Sequence, residues 1–241
     1  MIPKVIHYCW FGGKPLPYAA RKCLKSWKKQ CPDFEIKRWD ETNFDVNQHP
    51  FVKSAYEAKA WAFVSDWARL KVIYDEGGVY LDTDIELIKP LGPLLENNEC
   101  YIGVQQSERL CTTGLGFGAV KASPVIEKML SMYNGLEFTW EGAPELACPK
   151  LNDAVVRSLG FCGDGFGNVA RLNGLTVYPC RYLDPIAPGN LQNLTCDDTV
   201  SISLYVNSWG PRSARLRRFV ANALGPQKTD GIKRALNRFL D

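Results

Sequence analysis

Two aspartates, Asp82 and Asp84, flank a threonine directly after the run Glu76-Gly77-Gly78-Val79-Tyr80-Leu81. Residues at i and i+2 of an extended chain point to the same side, so the two carboxylates can share one hard divalent cation. A cation that is held by two protein carboxylates usually takes diphosphate oxygens as further ligands. The pair therefore predicts a metal site that also binds a diphosphate.

The residues before this pair indicate where it lies in a fold. Gly77 and Gly78 predict a turn out of a preceding helix, and residues 79–81 predict a short buried strand that ends at Asp82. Ligands commonly bind at such carboxyl ends of strands in α/β proteins. The context favours a functional site over a solvated acidic loop.

The helix that precedes this strand carries charges in an apolar setting. Residues 58–75 give the longest helical signal, and from 61 to 74 the helix is apolar on nearly every side. Ser65, Asp66 and Arg69 interrupt it, with Asp66 and Arg69 on one face at i, i+3. Buried charges have to be paired or put to use. Either the two form an ion pair that anchors the helix, or they line a polar cleft for a hydroxyl-rich ligand.

Composition indicates a soluble enzyme-sized chain. It has 241 residues, 46% of them hydrophobic, and lacks the roughly 18 to 20 uninterrupted apolar residues of a membrane span. The N-terminus lacks the basic-then-apolar layout of a signal peptide. Nine scattered cysteines without a Cys-x-x-Cys pair favour a reducing compartment over a disulfide framework or a zinc site. These observations predict a cytoplasmic protein.

Charge is concentrated at the C-terminus. Residues 212–241 hold eight basic and two acidic residues, a net charge of +6, whereas the whole chain carries +3. They predict a basic helical tail, which either packs on the domain with a solvated face or docks on anionic lipid at the inner face of a membrane. Nucleic-acid binding is disfavoured, because the basic residues lack interleaved aromatics.

Extended and helical signals alternate along the rest of the chain, which is typical of an α/β fold. His7 alternates within the first strand, which favours a structural over a catalytic role. The glycine-rich stretch 160–168 predicts a flexible loop, because it lacks the Lys-Ser/Thr of a phosphate-binding loop. We predict strands at 4–9, 34–39, 79–81, 100–105, 115–120, 176–178 and 200–206, and helices at 17–29, 58–75, 124–134 and 151–159.

Four separate motifs, in this order, resemble glycosyltransferase family 32. They are the opening Ile2-Pro3-Lys4-Val5-Ile6-His7-Tyr8-Cys9-Trp10-Phe11-Gly12-Gly13, the pair Ser65-Asp66-Trp67-Ala68-Arg69-Leu70 with Gly77-Gly78-Val79-Tyr80-Leu81-Asp82-Thr83-Asp84, the run Thr113-Gly114-Leu115-Gly116-Phe117-Gly118-Ala119, and Ser208-Trp209. More distantly, the spacing of Asp66, Arg69, Tyr80, Asp82 and Asp84 is similar to the catalytic domain of the large clostridial glucosylating toxins. The resemblance implies a GT-A fold over residues 1–211: one Rossmann-like mixed sheet flanked by helices.

The resemblance also implies roles for single residues. Asp82 and Asp84 would hold Mn²⁺ or Mg²⁺ together with Asn207, and Asp82, Asp84 and Arg69 would be catalytic. Donor-binding roles would fall to Trp10, Ser65, Asp66, Arg69, Tyr80, Asp82, Asn207, Ser208 and Trp209. Trp10 would stack on the nucleotide base, with a place in the core as the alternative.

The implied activity is a retaining, metal-dependent transfer of a sugar from a nucleotide-sugar, with UDP favoured by analogy. The acceptor would be a glycan or lipid-linked oligosaccharide in surface polysaccharide synthesis. One departure is Leu204, where relatives carry a histidine near the terminal Ser-Trp; Ser203, Asn207, Ser208 or water would have to replace it. Two alternatives remain open: a degenerate, non-catalytic nucleotide-sugar-binding module, and an aspartyl-nucleophile phosphatase.

Overall fold

The structure of the protein is a computed structural model that describes residues 1–186 and 192–206. The predicted tail at 212–241, the domain boundary at 211, and the site residues Asn207, Ser208 and Trp209 lie outside the described residues.

Helices and strands alternate through the described residues, as the sequence predicts. The strands are β1 (Val5–Cys9), β2 (Glu35–Trp39), β3 (Gly78–Tyr80), β4 (Ile85–Leu87), β5 (Cys100–Val104), β6 (Cys111–Thr112), β7 (Phe117–Ala119), β8 (Ala170–Leu172), β9 (Leu175–Tyr178) and β10 (Ser201–Ser203). The helices are α1 (Tyr18–Gln30), α2 (Pro50–Glu57), α3 (Trp61–Glu76), α4 (Gly92–Leu95), α5 (Pro124–Ser131), α6 (Ala143–Leu146), α7 (Cys148–Ser158) and α8 (Cys180–Leu183), with a 3₁₀ turn at Thr113–Leu115.

The main sheet is mixed, with the strand order β2-β1-β3-β7-β5-β9-β8 and β6 added beside β5. β1 runs parallel to β2 and β3, and β5 runs parallel to β9. β7 is antiparallel to both β3 and β5, so those two strands run in the same direction. The carboxyl ends of β1, β3, β5 and β9 therefore lie at one edge of the sheet, where β3 delivers Asp82. The predicted mixed α/β sheet flanked by helices is confirmed.

Two apolar clusters cover the two faces of this sheet. Ile6, Val79 and Tyr101 contribute to a cluster that includes Cys23 and Trp27 of α1. Tyr80 and Ile102 point to the other face, into the larger cluster with α2, α3, α5 and α7. Adjacent strand residues alternate between the clusters because successive side chains point to opposite faces. Asp82 has the parity of Tyr80 and so faces the α3 side.

Several element boundaries differ from the prediction. The predicted helix 58–75 begins at Trp61, because Lys59 has a φ of +56° that ends α2 before it. The sequence analysis missed α2, although Pro50 lies at its first turn and the His49 ring accepts a hydrogen bond from the Phe51 N–H. It also missed β4, which pairs with the distant β10. Within the described residues, no helix is both long and apolar enough to cross a membrane.

His7 lies fully buried beneath the turn that follows α3. Its Nε2–H donates to the Gly77 carbonyl at 3.0 Å, and its Nδ1 accepts from the Trp39 indole N–H at 3.1 Å. Both ring nitrogens of a neutral imidazole are thus used in holding the first strand to the glycine turn. This geometry agrees with the structural role that the sequence favours.

We expect His7 to make the fold sensitive to acid. Burial lowers the pKa of His7 to about 4, against 6.5 for the exposed ring. Between these values the unfolded chain takes up a proton that the folded chain does not, so stability is lost as the pH falls from about 6.5 to about 4. The loss from this group is about 3 kcal/mol at most. Thermal unfolding of His7→Gln across this pH range should show a shallower acid slope than the parent.

The matched control is His49→Gln: burial lowers the pKa of His49 as well, but this ring is more exposed, so its replacement should flatten the acid slope less than that of His7. An acid slope in His7→Gln equal to that of the parent would show that other groups govern acid unfolding.

Candidate functional site

The glycine turn between α3 and β3 places the acidic pair beside the charged helix. Gly77 and Gly78 have φ values of +72° and +107°. An added Cβ would lie 2.8 Å from the Lys121 backbone nitrogen at Gly77, and 2.8 Å from the Val5 carbonyl oxygen at Gly78. Only glycine fits both the conformation and the space. The turn lets β3 run back along α3, so that its carboxyl end reaches Arg69.

Arg69 connects the helix to the first aspartate of the pair. Its side chain is 5% exposed, and its Nη2 lies 2.9 Å from Asp66 Oδ1 and 3.3 Å from Asp82 Oδ1. Nη1 donates to Asp82 Oδ2 at 3.4 Å, and Nε donates to the Ser65 carbonyl at 3.1 Å. The guanidinium also lies over the Tyr80 ring, 4.9 Å from its centroid. The ion pair of the helix is therefore also a support for the acidic pair.

Asp82 is held on one side and accessible on the other. The Tyr80 hydroxyl donates to Asp82 Oδ1 at 3.1 Å, on the side of Arg69. The carboxylate nevertheless keeps 30% side-chain exposure. A ligand can therefore approach a carboxylate whose orientation the protein has already set.

Asp84 is oriented by the end of the described chain. Its Oδ2 accepts from the Val206 N–H at 3.0 Å, and its carbonyl accepts from the Leu204 N–H at 2.9 Å. The ribbon of β4 and β10 brings these residues together, with Ser203 opposite Ile85. The resemblance implies that this late segment approaches the acidic pair, and the contacts of Leu204 and Val206 agree with that; the metal-binding role of Asn207 stays a prediction.

Negative charge exceeds positive charge at this strand end. Asp66, Asp82 and Asp84 lie around Arg69. Among the described residues, Arg69 forms ion pairs with Asp66 and Asp82. Burial, and then the charge of Asp82, raise the pKa of Asp84 to about 6, and burial raises the pKa of Asp66 to about 6 against the pull of Arg69. Burial raises the pKa of Asp82 as well.

This donor set fits a hard divalent cation. Two carboxylates with raised pKa values gain from a cation, which relieves their mutual repulsion. Within residues 1–186 and 192–206, no three His, Cys, Asp or Glu side chains converge on one metal position. Asp82 and Asp84 would hold the ion, and its remaining ligands would come from the substrate or from water.

Asp66 is also anchored by a helix that the sequence analysis did not connect with it. Cys148, at the start of α7, lies close to Asp66, and its thiol and backbone N–H counteract part of the rise that burial causes in the pKa of Asp66. The Cys148 sulfur lies 3.9 Å from Arg69 Nη1 and 3.8 Å from the Thr112 hydroxyl. Nothing in the local sequence marks Cys148, because its partners lie at least 35 residues away along the chain.

Gly114 forms part of the surface beside Asp82 and Arg69. A Cβ on Gly114 would lie 3.2 Å from Asp82 Oδ2 and 3.6 Å from Arg69 Nη1. The residue belongs to the run 113–119 that the sequence analysis singled out without a role. Its missing side chain keeps the carboxylate and guanidinium edges open to a ligand.

Gly114→Ala should therefore impair ligand binding at the acidic pair with little loss of stability. The backbone of Gly114 does not have the positive φ that strains other residues, so alanine fits the turn. The added methyl presses on Asp82, and we expect a weakening of ligand affinity by about tenfold, as for a misplacement of a few tenths of an ångström in a rigid site.

The matched control is Gly92→Ala, whose Cβ would meet nothing within 4 Å. Ligand titration of both variants, followed by thermal shift, separates the effect on ligand affinity from the effect on folding stability. Equal ligand affinity in the two variants would remove Gly114 from the site.

Other predicted site residues lie in less accessible positions. Trp10 is buried at 5% exposure in the cluster on the α1 face, and its indole N–H donates to the Lys14 carbonyl at 2.5 Å. This is the core position that the sequence left open as an alternative, so base stacking by Trp10 stays a prediction. The buried Ser65 hydroxyl has no partner among the described residues. The Leu204 side chain packs against the cluster on the α1 face.

Comparison with known proteins points to one class of enzyme. Residues 17–101 match a family described as "Glycosyltransferase sugar-binding region containing DXD motif", and this range includes Asp66, Arg69, Asp82 and Asp84. The chain is 34% identical over 101 residues to an uncharacterized glycosyltransferase, L373, of Acanthamoeba polyphaga mimivirus, covering 39% of this chain and 40% of that protein. It is 30% identical over 98 residues to inositol phosphoceramide mannosyltransferase 3 of Schizosaccharomyces pombe, covering 39% and 27%.

Among solved structures, the fold is similar to a glycosyltransferase involved in the glycosylation of the major capsid of PBCV-1. The TM-score is 0.51 at 14% identity, over 91% of this chain and 100% of the other. This likeness confirms the GT-A fold that the resemblance implies. The chain spans less than half the length of the two curated relatives.

Proposed function

We propose, from the match of residues 17–101 to a glycosyltransferase sugar-binding region containing a DXD motif, that the protein transfers a sugar from a nucleotide-sugar with retention of configuration. The donor is a UDP-sugar, and the acceptor is a glycan or lipid-linked oligosaccharide of surface polysaccharide synthesis on the cytoplasmic side. The reaction depends on Mn²⁺ or Mg²⁺. Asp82 and Asp84 would hold the ion, which would supply Lewis-acid stabilisation of the departing nucleoside diphosphate.

The observation that carries this proposal is the arrangement of charge at the end of β3. A guanidinium at 5% exposure bonds two carboxylates, and a third carboxylate lies two residues further along the chain. Such a site binds a ligand that is anionic and metal-bound at one end and rich in hydroxyls at the other. A nucleotide-sugar has both ends.

The residues of the site divide between these two ends. Asp82 and Asp84 hold the ion, and Tyr80 and Val206 fix the orientation of their carboxylates. Arg69 and Asp66 present a planar donor and an acceptor to sugar hydroxyls, with Arg69 close to the charge that develops on the leaving group. The packing of Asp66 against Cys148 keeps this pair rigid, which lowers the cost of ordering it in the transition state.

A retaining mechanism does not require any carboxylate of the site to act as a base. In a front-face substitution, the acceptor oxygen forms a bond to the anomeric carbon on the face from which the diphosphate oxygen departs. The leaving diphosphate oxygen takes the proton of the acceptor hydroxyl, so a dedicated base is unnecessary. Asp66 and Asp82 are then free to remain in their bonds to Arg69 throughout.

We place the acceptor toward β5 and β9. A cavity of about 200 Å³ lies there under the loop 160–168, lined by Val104 at the carboxyl end of β5 and by Pro179 after β9. Both ends lie at the same edge of the sheet as Asp82. An acceptor in this cavity would reach the donor sugar along the edge.

A screen of nucleotide-sugars tests the function. Thermal shift with UDP- and GDP-sugars, each with Mn²⁺, Mg²⁺ or EDTA, should reveal one donor that stabilises the protein only with metal. A ligand at 100 times its Kd raises stability by about 2.7 kcal/mol. That donor should be hydrolysed slowly in the absence of acceptor. Stabilisation by no nucleotide-sugar, together with hydrolysis of a chromogenic phosphate ester that Asp82→Asn abolishes, would favour the phosphatase alternative.

The second candidate is a non-catalytic nucleotide-sugar-binding module. The packing of Leu204 against the cluster on the α1 face favours it, because this side chain replaces a histidine of the relatives and offers no ligand to a metal. Metal-dependent stabilisation by a donor, without hydrolysis or transfer, would identify the module.

A further inference from the structure

Helix α1 has a basic face that the proposed reaction does not use. Five of its thirteen residues are basic and none is acidic. At 100° per residue, these five and Tyr18 fall within about 120° of arc, opposite the buried Ala20, Cys23 and Trp27. We call this surface the α1 basic face; it consists of Tyr18, Arg21, Lys22, Lys25, Lys28 and Lys29, all exposed.

Few of these charges are neutralised by the protein. Lys22 pairs with Glu86 at 3.0 Å, and it is the one basic residue of α1 with an ion pair among the described residues. The Arg21 guanidinium donates to the Leu16 carbonyl, which leaves its charge uncompensated. Tyr18 adds an aromatic ring at 77% exposure. The face therefore presents a row of positive charges, with an amphipathic ring at one end.

The opposite side of α1 is fixed to the strand that follows the acidic pair. The Trp27 indole N–H donates to the Ile85 carbonyl at 2.7 Å, and the Leu87 N–H donates to the Ser26 hydroxyl at 3.0 Å. Ile85 directly follows Asp84 in the chain. These hydrogen bonds fix the position of α1 relative to the carboxylates of the acidic pair. Any surface that binds the α1 basic face therefore also has a fixed position relative to those carboxylates.

We propose that the α1 basic face docks on the surface of an anionic phospholipid bilayer. Four of its five cations are lysines, which act as flexible point charges and suit a diffuse, planar negative surface better than a bidentate partner. Exposed tyrosine is favoured at the boundary of lipid headgroups and water. Docking holds the candidate site near the membrane and needs neither metal nor donor, so it stands independently of the proposed function.

Vesicle sedimentation with the full chain tests this proposal. Vesicles of phosphatidylcholine with about 30% phosphatidylserine should bind the protein at low salt and release it at high salt, because exposed charges are screened. Each basic residue near the surface contributes about fivefold to binding, so Lys25→Gln/Lys28→Gln/Lys29→Gln should bind about a hundredfold more weakly.

The matched control is Lys53→Gln/Lys121→Gln/Lys128→Gln, which neutralises three exposed lysines of α2, α5 and a neighbouring loop. It should bind like the parent, and donor-induced thermal shifts should be unchanged in both variants. Equal binding by the two triple variants would overturn the proposal, as would loss of binding only in Arg217→Gln/Arg218→Gln/Arg234→Gln of the tail. Binding to duplex DNA as tight as to the vesicles at the same salt would also overturn a lipid-directed role.

Discussion

Asp84→Asn should abolish metal-dependent turnover and leave the metal-free fold at least as stable as the parent. Asparagine still accepts the hydrogen bond from the Val206 N–H through its amide oxygen. It lacks the charge that the fold disfavours, since burial and Asp82 raise the pKa of Asp84 to about 6. We expect donor hydrolysis to fall by about 10²–10³, as for other losses of electrostatic stabilisation. The melting temperature without metal should stay equal or rise by about 2–4 °C.

Two measurements make this result specific to the metal. In the parent, Mn²⁺ with donor should raise the melting temperature, and in Asp84→Asn this increase should disappear. The matched control is Asp75→Asn, which removes an exposed carboxylate that pairs with Lys71 at the end of α3. Asp84→Asn with near-parental hydrolysis and an unchanged response to Mn²⁺ would show that the pair is not a metal site.

The local part of the site could be predicted from the sequence. Asp66 and Arg69 lie at i, i+3 of a predicted helix, and the helical repeat is enough to pair them on one face. Gly77 and Gly78 mark the end of that helix, and the apolar residues after them mark β3. Contacts of this kind form between residues that are close in the sequence, so the local pattern of residue types predicts them.

Contacts between distant segments could not be predicted in the same way. Cys148 reaches Asp66 because α7 packs on the α3 side of the sheet, and Val206 reaches Asp84 because β10 pairs with β4. Neither contact leaves a periodic or compositional signal. Leu204 illustrates the difference: its sequence position indicates a missing ligand, and only the structure shows that its partly buried side chain packs against the cluster on the α1 face.

Arg69→Lys should be the most damaging conservative change in the protein. Lysine keeps the positive charge but has one ammonium group, which cannot reproduce the four contacts that Arg69 makes with Asp66, Asp82 and the Ser65 carbonyl. We expect transfer and donor hydrolysis per folded molecule to fall by about 10²–10³. We also expect the free energy of unfolding to fall by about 1–3 kcal/mol, because buried acceptors lose their donors.

The control for this change is Arg157→Lys on α7. Arg157 also pairs with an aspartate, Asp153, but it is 41% exposed and its aspartate lies away from the acidic pair. It should lose little stability and no turnover. The comparison decides between the two interpretations of the charged pair in α3. If Arg69→Lys lowers the melting temperature but leaves turnover per folded molecule unchanged, Asp66 and Arg69 are structural, and the sugar pocket has to be sought among other residues at the carboxyl edge. If turnover falls while the control retains it, the guanidinium takes part in the reaction, either on the substrate or by holding Asp82, because loss of folding stability alone does not slow the molecules that remain folded.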